Sequence, residues 1–96
     1  MCGIAGILNR QPADHSAALQ KMQAALQHRG PDDRGLWSSS CGLAQFAHTR
    51  LAILDLSPAG HQPMVCADSG LSIVFNGEIF NFRELRAGLE QSGATF

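Results

Sequence analysis

The chain has few charged residues and no concentration of positive ones. Charged side chains make up 16% of its 96 residues, and the formal net charge is −1, whereas globular proteins average about 25% charged residues. Nucleic-acid and membrane-surface binding need a clustered positive field, so the composition argues against both kinds of partner. The low charge also argues against a disordered chain or a coiled coil.

Long apolar runs and targeting signals are absent as well. No stretch approaches the ~18 apolar residues that a membrane span needs. Met1 is followed at once by Cys-Gly-Ile, without the basic region or apolar segment of a secretory signal. We therefore expect no membrane partner and a cytoplasmic protein, in a compartment where thiols stay reduced.

Paired cysteines are also missing. The three cysteines, Cys2, Cys41 and Cys66, form an odd set without a C-x-x-C pair, which argues against a disulfide framework or a zinc ribbon. Together with the histidines they match no tetrahedral zinc spacing. We expect no metal site and no cofactor within this chain.

What the sequence does contain is the apolar patterning of one small domain with a thin core. Short apolar runs predict strands, and apolar residues spaced three or four apart predict helices. The predicted elements are a strand over 3–8, a helix over 16–27 that ends before Gly30-Pro31, a loop over 31–35, an extended segment over 42–54, a loop over 55–70, a strand over 71–75 and a helix from Asn81 to about Gly93. Because several strands lie close together in sequence, this order favours an α+β fold with an antiparallel sheet.

Both predicted helices carry an apolar stripe. The stripe positions are Leu19, Met22 and Leu26 in the first helix and Phe82, Leu85 and Leu89 in the second. Asn81 and Glu84 stand three residues apart, the spacing of a capping box, which predicts where the second helix begins.

The extended segment 42–54 separates its side chains onto two faces. Alternation places Phe46, His48 and Arg50 on one face. From the residues alone, His48 is either a strand histidine satisfied within the fold or a site residue. Arg50 is either half of a structural ion pair or a guanidinium that grips a carboxylate through two parallel hydrogen bonds.

Cys2 is the sharpest chemical feature. If Met1 is removed, Cys2 carries the α-amine of the chain, so one residue holds a nucleophile and a base. Thiols and α-amines ordinarily have pKa values of about 8.5 and 7.7–8.0, so proton transfer between them is nearly balanced at neutral pH. The alternative is an ordinary buried cysteine in an N-terminal strand.

The Asn76-Gly77-Glu78 segment offers a second chemical element. A strand that ends in Asn-Gly can aim a side-chain amide and a backbone N–H at one oxygen, as an oxyanion hole requires. The alternative is a plain hairpin turn, since Asn-Gly is a preferred turn pair.

Four ordered segments together resemble one family. They are MCGIAG at 1–6, HRGPDDRG at 28–35, HTRLAILDLSPAGHQPM at 48–64 and FNGEIFNFREL at 75–85. The chain resembles the class II glutamine amidotransferase domain of the N-terminal nucleophile hydrolases, and it is most similar to the glutamine-hydrolysing asparagine synthetases. Four motifs in order are far more specific than any one of them.

The resemblance implies a fold, an activity and roles for residues. The implied fold is a four-layer αββα sandwich with antiparallel sheets, of which this chain supplies the N-terminal part. The implied activity is hydrolysis of glutamine to glutamate and ammonia through a Cys2 thioester. The implied roles are Cys2 as nucleophile and base, Asn76 and Gly77 as oxyanion donors, Arg50 as the clamp for the α-carboxylate, and Ile53, Leu54 and Glu78, with Asn76 and Gly77, as lining of the glutamine pocket. The HRGPD motif is implied to lie near the site without a catalytic step.

The resemblance also implies features outside residues 1–96, which we read as a partial amidotransferase domain. An acidic residue that holds the glutamine α-ammonium would follow Phe96. A synthetase domain of the same polypeptide would use ATP and Mg²⁺ to make asparagine from aspartate, and the full protein is a possible homodimer.

Three functions stay open at this point. The chain is the glutaminase part of an asparagine synthetase, or the amidotransferase part of a class II enzyme with another acceptor, or an inactive domain that binds a partner or binds nothing. A retained Met1 would favour the third, because an extended amine cannot serve as the base.

Overall fold

A computed structural model describes residues 1–96 and has an α+β architecture with antiparallel sheets, which confirms the predicted class. The elements are β1 (Gly3–Leu8), α1 (Ser16–Ala25), β2 (Asp33–Ser38), β3 (Ala44–Arg50), β4 (Met64–Val65), β5 (Ser72–Ile73) and α2 (Phe82–Gln91), with 3₁₀ turns at Gln27–Arg29 and Pro58–Gly60. Neither helix has the length and apolar character that crossing a membrane requires.

The strand β3 is the centre of a three-stranded sheet. The order is β1-β3-β2, and both pairings are antiparallel. Gly3 lies opposite Thr49, and Ile4 lies opposite His48. Side chains alternate along a strand, so β3 presents Ala47 and Thr49 to one layer and His48 and Arg50 to the other.

Helix α1 covers one face of this sheet. Leu19, 2% exposed, packs with Ala5 and Ala47 to form the apolar core. Met22 belongs to the predicted stripe but remains 40% exposed. Gln23 is buried in that part of the helix because its amide donates to the carbonyls of Gly35 (2.8 Å) and His48 (3.1 Å), which satisfies a buried polar group.

The strand β2 corrects the predicted loop over 31–35. Its first residues, Asp33 and Arg34, are polar and carry no strand pattern, yet they pair with Arg50 and Thr49 of β3. Tertiary pairing therefore overrides local propensity here. Gly35 is required because a Cβ at this position would overlap the carbonyl of Gln62.

The predicted boundaries shift in three other elements. The helix predicted over 16–27 ends at Ala25, the segment 42–54 is a strand only over Ala44–Arg50, and the strand predicted over 71–75 is reduced to Ser72–Ile73. The latter pairs with β4 inside the region predicted as a loop. Short pairings of this kind depend on contacts that a local pattern does not encode.

Helix α2 follows Asn81, but the predicted capping box is wrong. Asn81 has φ −94° and ψ 27° and makes no side-chain capping bond, whereas a capping residue usually has an extended backbone. The helix ends at Gln91, and the predicted stop residue Gly93 follows two residues later with a φ of 95°, which suits glycine. The stripe residues Phe82, Leu85 and Leu89 are each about half exposed.

Candidate functional site

The antiparallel register places Cys2 on the sheet face opposite α1. Cys2 directly precedes β1, two residues before Ile4, and Ile4 pairs with His48. The Leu51 N–H donates to the Cys2 sulfur at 3.4 Å, and the thiol lies 3.8 Å from the Leu51 carbonyl. The sulfur is thus held at the end of β3, which leaves it partly exposed to the space beside that strand.

The HRGPD motif at residues 28–32 contacts the backbone at this end of the sheet. The Arg29 side chain donates through Nε to the Cys2 carbonyl at 3.2 Å. Gly30 lies so close to the backbone of Thr49 and Arg50 that a Cβ would overlap it. The Asp32 carboxylate accepts the Ala52 N–H at 2.8 Å. The motif therefore anchors the Cys2 carbonyl and the backbone at the end of β3, a role that the sequence alone did not specify.

A cleft of about 460 Å³ opens over Cys2, within the usual ~300–1,000 Å³ of small-molecule sites. Every residue predicted for the site lines it, although they come from three separate segments of the chain. These residues are Cys2, Arg50, Ile53, Leu54, Asn76, Gly77 and Glu78. The structure therefore brings the predicted nucleophile, guanidinium and amide donors to one cavity.

Arg50 forms part of the cleft wall and is 9% exposed. Its Nη1 donates to the Ser57 carbonyl at 2.7 Å, and its Nη2 donates to the Asp55 carbonyl. Its partners are backbone carbonyls and not carboxylates, so the ion-pair alternative does not describe this arginine. A guanidinium has five N–H donors, so donors remain for a ligand in the cleft.

The Asn76-Gly77 pair joins β5 to α2 and is not the turn of a hairpin. The Phe75 N–H donates to Gln62 Oε1 at 2.6 Å, which ties the start of this segment to the loop before β4. Gly77 lies against the Phe75 ring, and a Cβ there would approach Phe75 Cζ to 2.8 Å. The segment is thus held at Phe75, the residue before the predicted donors.

His48 is a site residue that sequence reasoning did not select. It is 1% exposed, it lines the cleft, and neither ring nitrogen has a hydrogen-bond partner. The alternative of a satisfied strand histidine is therefore wrong. Burial lowers the pKa of the imidazole, and the Phe75 backbone and the Asp33 charge oppose this only in part. The signal was present in the alternation that put His48 on the same face as Arg50.

An Asp33–His61 pair lies in a second, neighbouring cavity, which shares Arg50 and Ala52 with the cleft. Asp33 Oδ2 lies 2.6 Å from His61 Nδ1, which links β2 to the loop after the second 3₁₀ turn. Burial alone would raise the pKa of the Asp33 carboxyl, but hydrogen bonds from His61 and Arg34 and the charges of His61 and Arg50 together lower it. No group of three or more His, Cys, Asp or Glu side chains is arranged to hold a metal ion.

Comparison with known proteins identifies relatives of this chain. It is 39% identical over 100 residues to the glutamine-hydrolysing asparagine synthetase 1 of Bacillus subtilis, with 100% of the chain and 15% of that protein aligned. It is 42% identical over 105 residues to a putative glutamine-hydrolysing asparagine synthetase of Methanocaldococcus jannaschii, covering 90% of the chain and 20% of that protein. The amidase chry2 of Gibberella zeae is 35% identical over 100 residues, covering 93% and 15%.

The chain thus spans a fifth or less of the length of these curated relatives. No solved structure matches it. The family model of the glutamine amidotransferase domain matches residues 1–96, the whole of the chain. With a cysteine at position 2 and a cleft built around it, the chain belongs to the class II glutamine amidotransferase domains.

Proposed function

We propose that this chain hydrolyses glutamine to glutamate and ammonia at the cleft over Cys2. The observation that carries the proposal is the convergence of residues 2, 50, 53, 54 and 76–78 on one cavity. A thiol, a guanidinium and an Asn-Gly pair come from three distant segments of the chain and line the same cavity. These are the groups that the proposed reaction needs.

In the proposed reaction, Met1 is first removed and the freed Cys2 amine takes the thiol proton. The sulfur attacks the side-chain amide carbon of glutamine and forms a tetrahedral oxyanion, which the Asn76 amide and the Gly77 N–H stabilise. The C–N bond then breaks, the nitrogen takes up the proton, and ammonia leaves a thioester on Cys2. Water hydrolyses the thioester to glutamate and restores the thiol.

Arg50 is proposed to bind the α-carboxylate of glutamine. Support comes from its position in the cleft wall and from the N–H donors that its two carbonyl partners leave unused. Ile53, Leu54 and Glu78 would line the rest of the pocket. The surrounding architecture is proposed to be the four-layer αββα sandwich of the N-terminal nucleophile hydrolases.

The ammonia is proposed to serve asparagine synthesis from aspartate, in a synthetase domain of the same polypeptide that uses ATP and Mg²⁺. Two of the relatives described above are named as asparagine synthetases. The amidase relative favours a second candidate, an amidotransferase with a different acceptor. Product analysis with aspartate, ATP, Mg²⁺ and glutamine separates the two, since only the first yields asparagine.

The decisive experiment is Cys2→Ala in the full native protein, with Cys41→Ala as the matched control because Cys41 is exposed and lies outside the cleft. Cys2→Ala should abolish ammonia release from glutamine while synthesis with added ammonia continues, and Cys41→Ala should change neither activity. Intact mass should show that the active protein starts at Cys2. Glutamine hydrolysis that persists in Cys2→Ala, or full turnover with Met1 retained, would refute the proposal.

A further inference from the structure

His48 is a buried polar side chain whose hydrogen-bonding capacity is unused. Both ring nitrogens are enclosed and unpartnered, although a buried donor or acceptor without a partner costs about 1–3 kcal/mol. Native proteins satisfy the great majority of such groups. An unsatisfied imidazole in the wall of a ligand cleft therefore calls for a partner that the ligand-bound state supplies.

The ring shares the cleft with the segment that carries the proposed oxyanion donors, since His48, Phe75, Asn76 and Gly77 all line it. Burial lowers the pKa of the His48 imidazole and the Phe75 backbone raises it in part, although no hydrogen bond joins the two groups. Only an acceptor does this, so the group is the Phe75 carbonyl. That carbonyl belongs to the peptide unit that leads directly into Asn76.

The other end of Phe75 is already fixed, because its N–H is bound to Gln62 Oε1 at 2.6 Å. One further contact at the carbonyl would leave this residue little freedom. The orientation of Asn76 and Gly77 would then be set by two side chains of the cleft wall, Gln62 and His48.

We propose that His48 is a positioning residue that donates a hydrogen bond to the Phe75 carbonyl when glutamine is bound, and thereby aims the Asn76 amide and the Gly77 N–H at the oxyanion. This inference rests on the proposed glutaminase function. A neutral imidazole has one N–H donor to give. Hydrogen bonds of catalytic sites are often long in the free enzyme and shorten in the complex.

A role as the base for Cys2 is not supported by the contacts. The Cys2 sulfur has the Leu51 backbone as its only hydrogen-bonding neighbour. His48 therefore acts on the donors and not on the nucleophile. The two roles can be distinguished by measurement. Alkylation of the Cys2 thiol by iodoacetamide forms no oxyanion, so its rate reports on the nucleophile alone. Attack on the glutamine amide does form an oxyanion, so the rate of glutamine hydrolysis also reports on the donors.

The test compares His48→Leu, His48→Asn and His48→Gln in the full native protein. His48→Leu should lower kcat for glutamine hydrolysis by about 10–100-fold, somewhat less than the loss of an oxyanion donor itself. KM should change less than about threefold, since ground-state binding is not affected. The rate of Cys2 alkylation should stay within about twofold of wild type, and the thermal midpoint should not fall, because Leu leaves no unpaired polar atom.

At least one of His48→Asn and His48→Gln, which retain an N–H donor, should recover most of the lost kcat. An unchanged kcat in His48→Leu would overturn the positioning role, and so would a loss that neither amide rescues or a change confined to KM. These results leave glutamine hydrolysis by the wild type intact. A wild-type protein that releases no ammonia from glutamine would instead remove the proposed function and this role with it.

Discussion

Gly60 lies against the Arg50 guanidinium, so Gly60→Ala tests the proposed carboxylate clamp without altering its charge. A Cβ at Gly60 would lie 2.5 Å from Arg50 Cζ, well inside the ~3.5–4.0 Å of an ordinary carbon contact. The φ of Gly60 lies outside the left-handed region, so alanine fits the backbone. The overlap is therefore relieved by displacing the end of a flexible side chain.

The displacement has a cost that can be worked from the contacts. The guanidinium donates to two backbone carbonyls, those of Ser57 and Asp55. A hydrogen bond to a charged group is worth about 1.5–3 kcal/mol, and replacing glycine by alanine returns about 0.4–1 kcal/mol by restricting the unfolded chain. Loss of one bond should thus lower the free energy of unfolding by about 0.5–2.6 kcal/mol.

The effect on activity should appear in KM. If a displaced Arg50 loses one charge-assisted bond to the glutamine carboxylate, worth about 1.5–3 kcal/mol, KM should rise by roughly 10- to 150-fold at 1.4 kcal/mol per tenfold. The value of kcat should change less than about threefold, because the three atoms nearest an added Cβ at Gly60 all belong to Arg50. Steady-state ammonia release from glutamine measures both constants.

Gly88→Ala is the matched control. Gly88 lies within α2, and an added Cβ there meets open space, so the variant should gain about 0.5–1 kcal/mol of stability and leave KM unchanged. Arg50→Lys should raise KM as Gly60→Ala does, because lysine lacks the planar fork. A Gly60→Ala protein with wild-type KM, beside an Arg50→Lys protein with a raised one, would refute the steric argument. Wild-type KM in both would refute the clamp.

Two further predictions concern stability. Leu19→Ala should lower the free energy of unfolding by about 2–5 kcal/mol in denaturant titrations, since Leu19 is the one large aliphatic side chain of the core; a loss below about 1 kcal/mol would contradict that description. The pKa of Asp33 is lowered in the folded protein, so its ionised form stabilises the fold. This contribution is fully present above the ordinary carboxyl pKa of about 3.9, and it is lost as the pH falls through the lower folded pKa. Asp33→Asn should therefore be less stable than wild type near neutral pH, and the difference should shrink as the pH falls below about 3.9; a constant difference would contradict the linkage.

The sequence predicted those elements whose pattern is local. Strand β1, helix α1 and the centre of β3 follow from apolar periodicity, and the prediction for them is confirmed within a few residues. Strand β2 does not follow, because its first residues, Asp33 and Arg34, are polar and become strand only by pairing with β3. A pairing energy that belongs to two distant segments has no signature in either segment alone.

The same distinction holds for the site. The motifs identified the residues that line the cleft, but not what supports them. The Cys2 carbonyl is held by Arg29, and the Phe75 N–H by Gln62. These contacts join residues that are 27 and 13 positions apart, and no spacing rule relates them. Strand alternation places His48 on the same face as Arg50, so the sequence could have marked His48 as a site residue. The lack of hydrogen-bond partners for its ring nitrogens depends on the groups around the ring, which come from distant parts of the sequence.

Cys2 and the core are connected through the register of β1 on β3. A one-residue slip would turn every side chain of β1 to the other face, and Cys2 would then point into α1. Gly3 opposes such a slip, because its N–H donates to Thr49 Oγ1 at 3.1 Å, and a Cβ there would lie 2.8 Å from the Leu26 side chain. Thr49 Oγ1 in turn donates to the Leu26 carbonyl at 3.1 Å. The contacts of Gly3 and Thr49 on the buried face thus also fix the direction in which the adjacent Cys2 thiol points. A substitution at Thr49 should therefore displace Cys2, although Thr49 itself does not line the cleft.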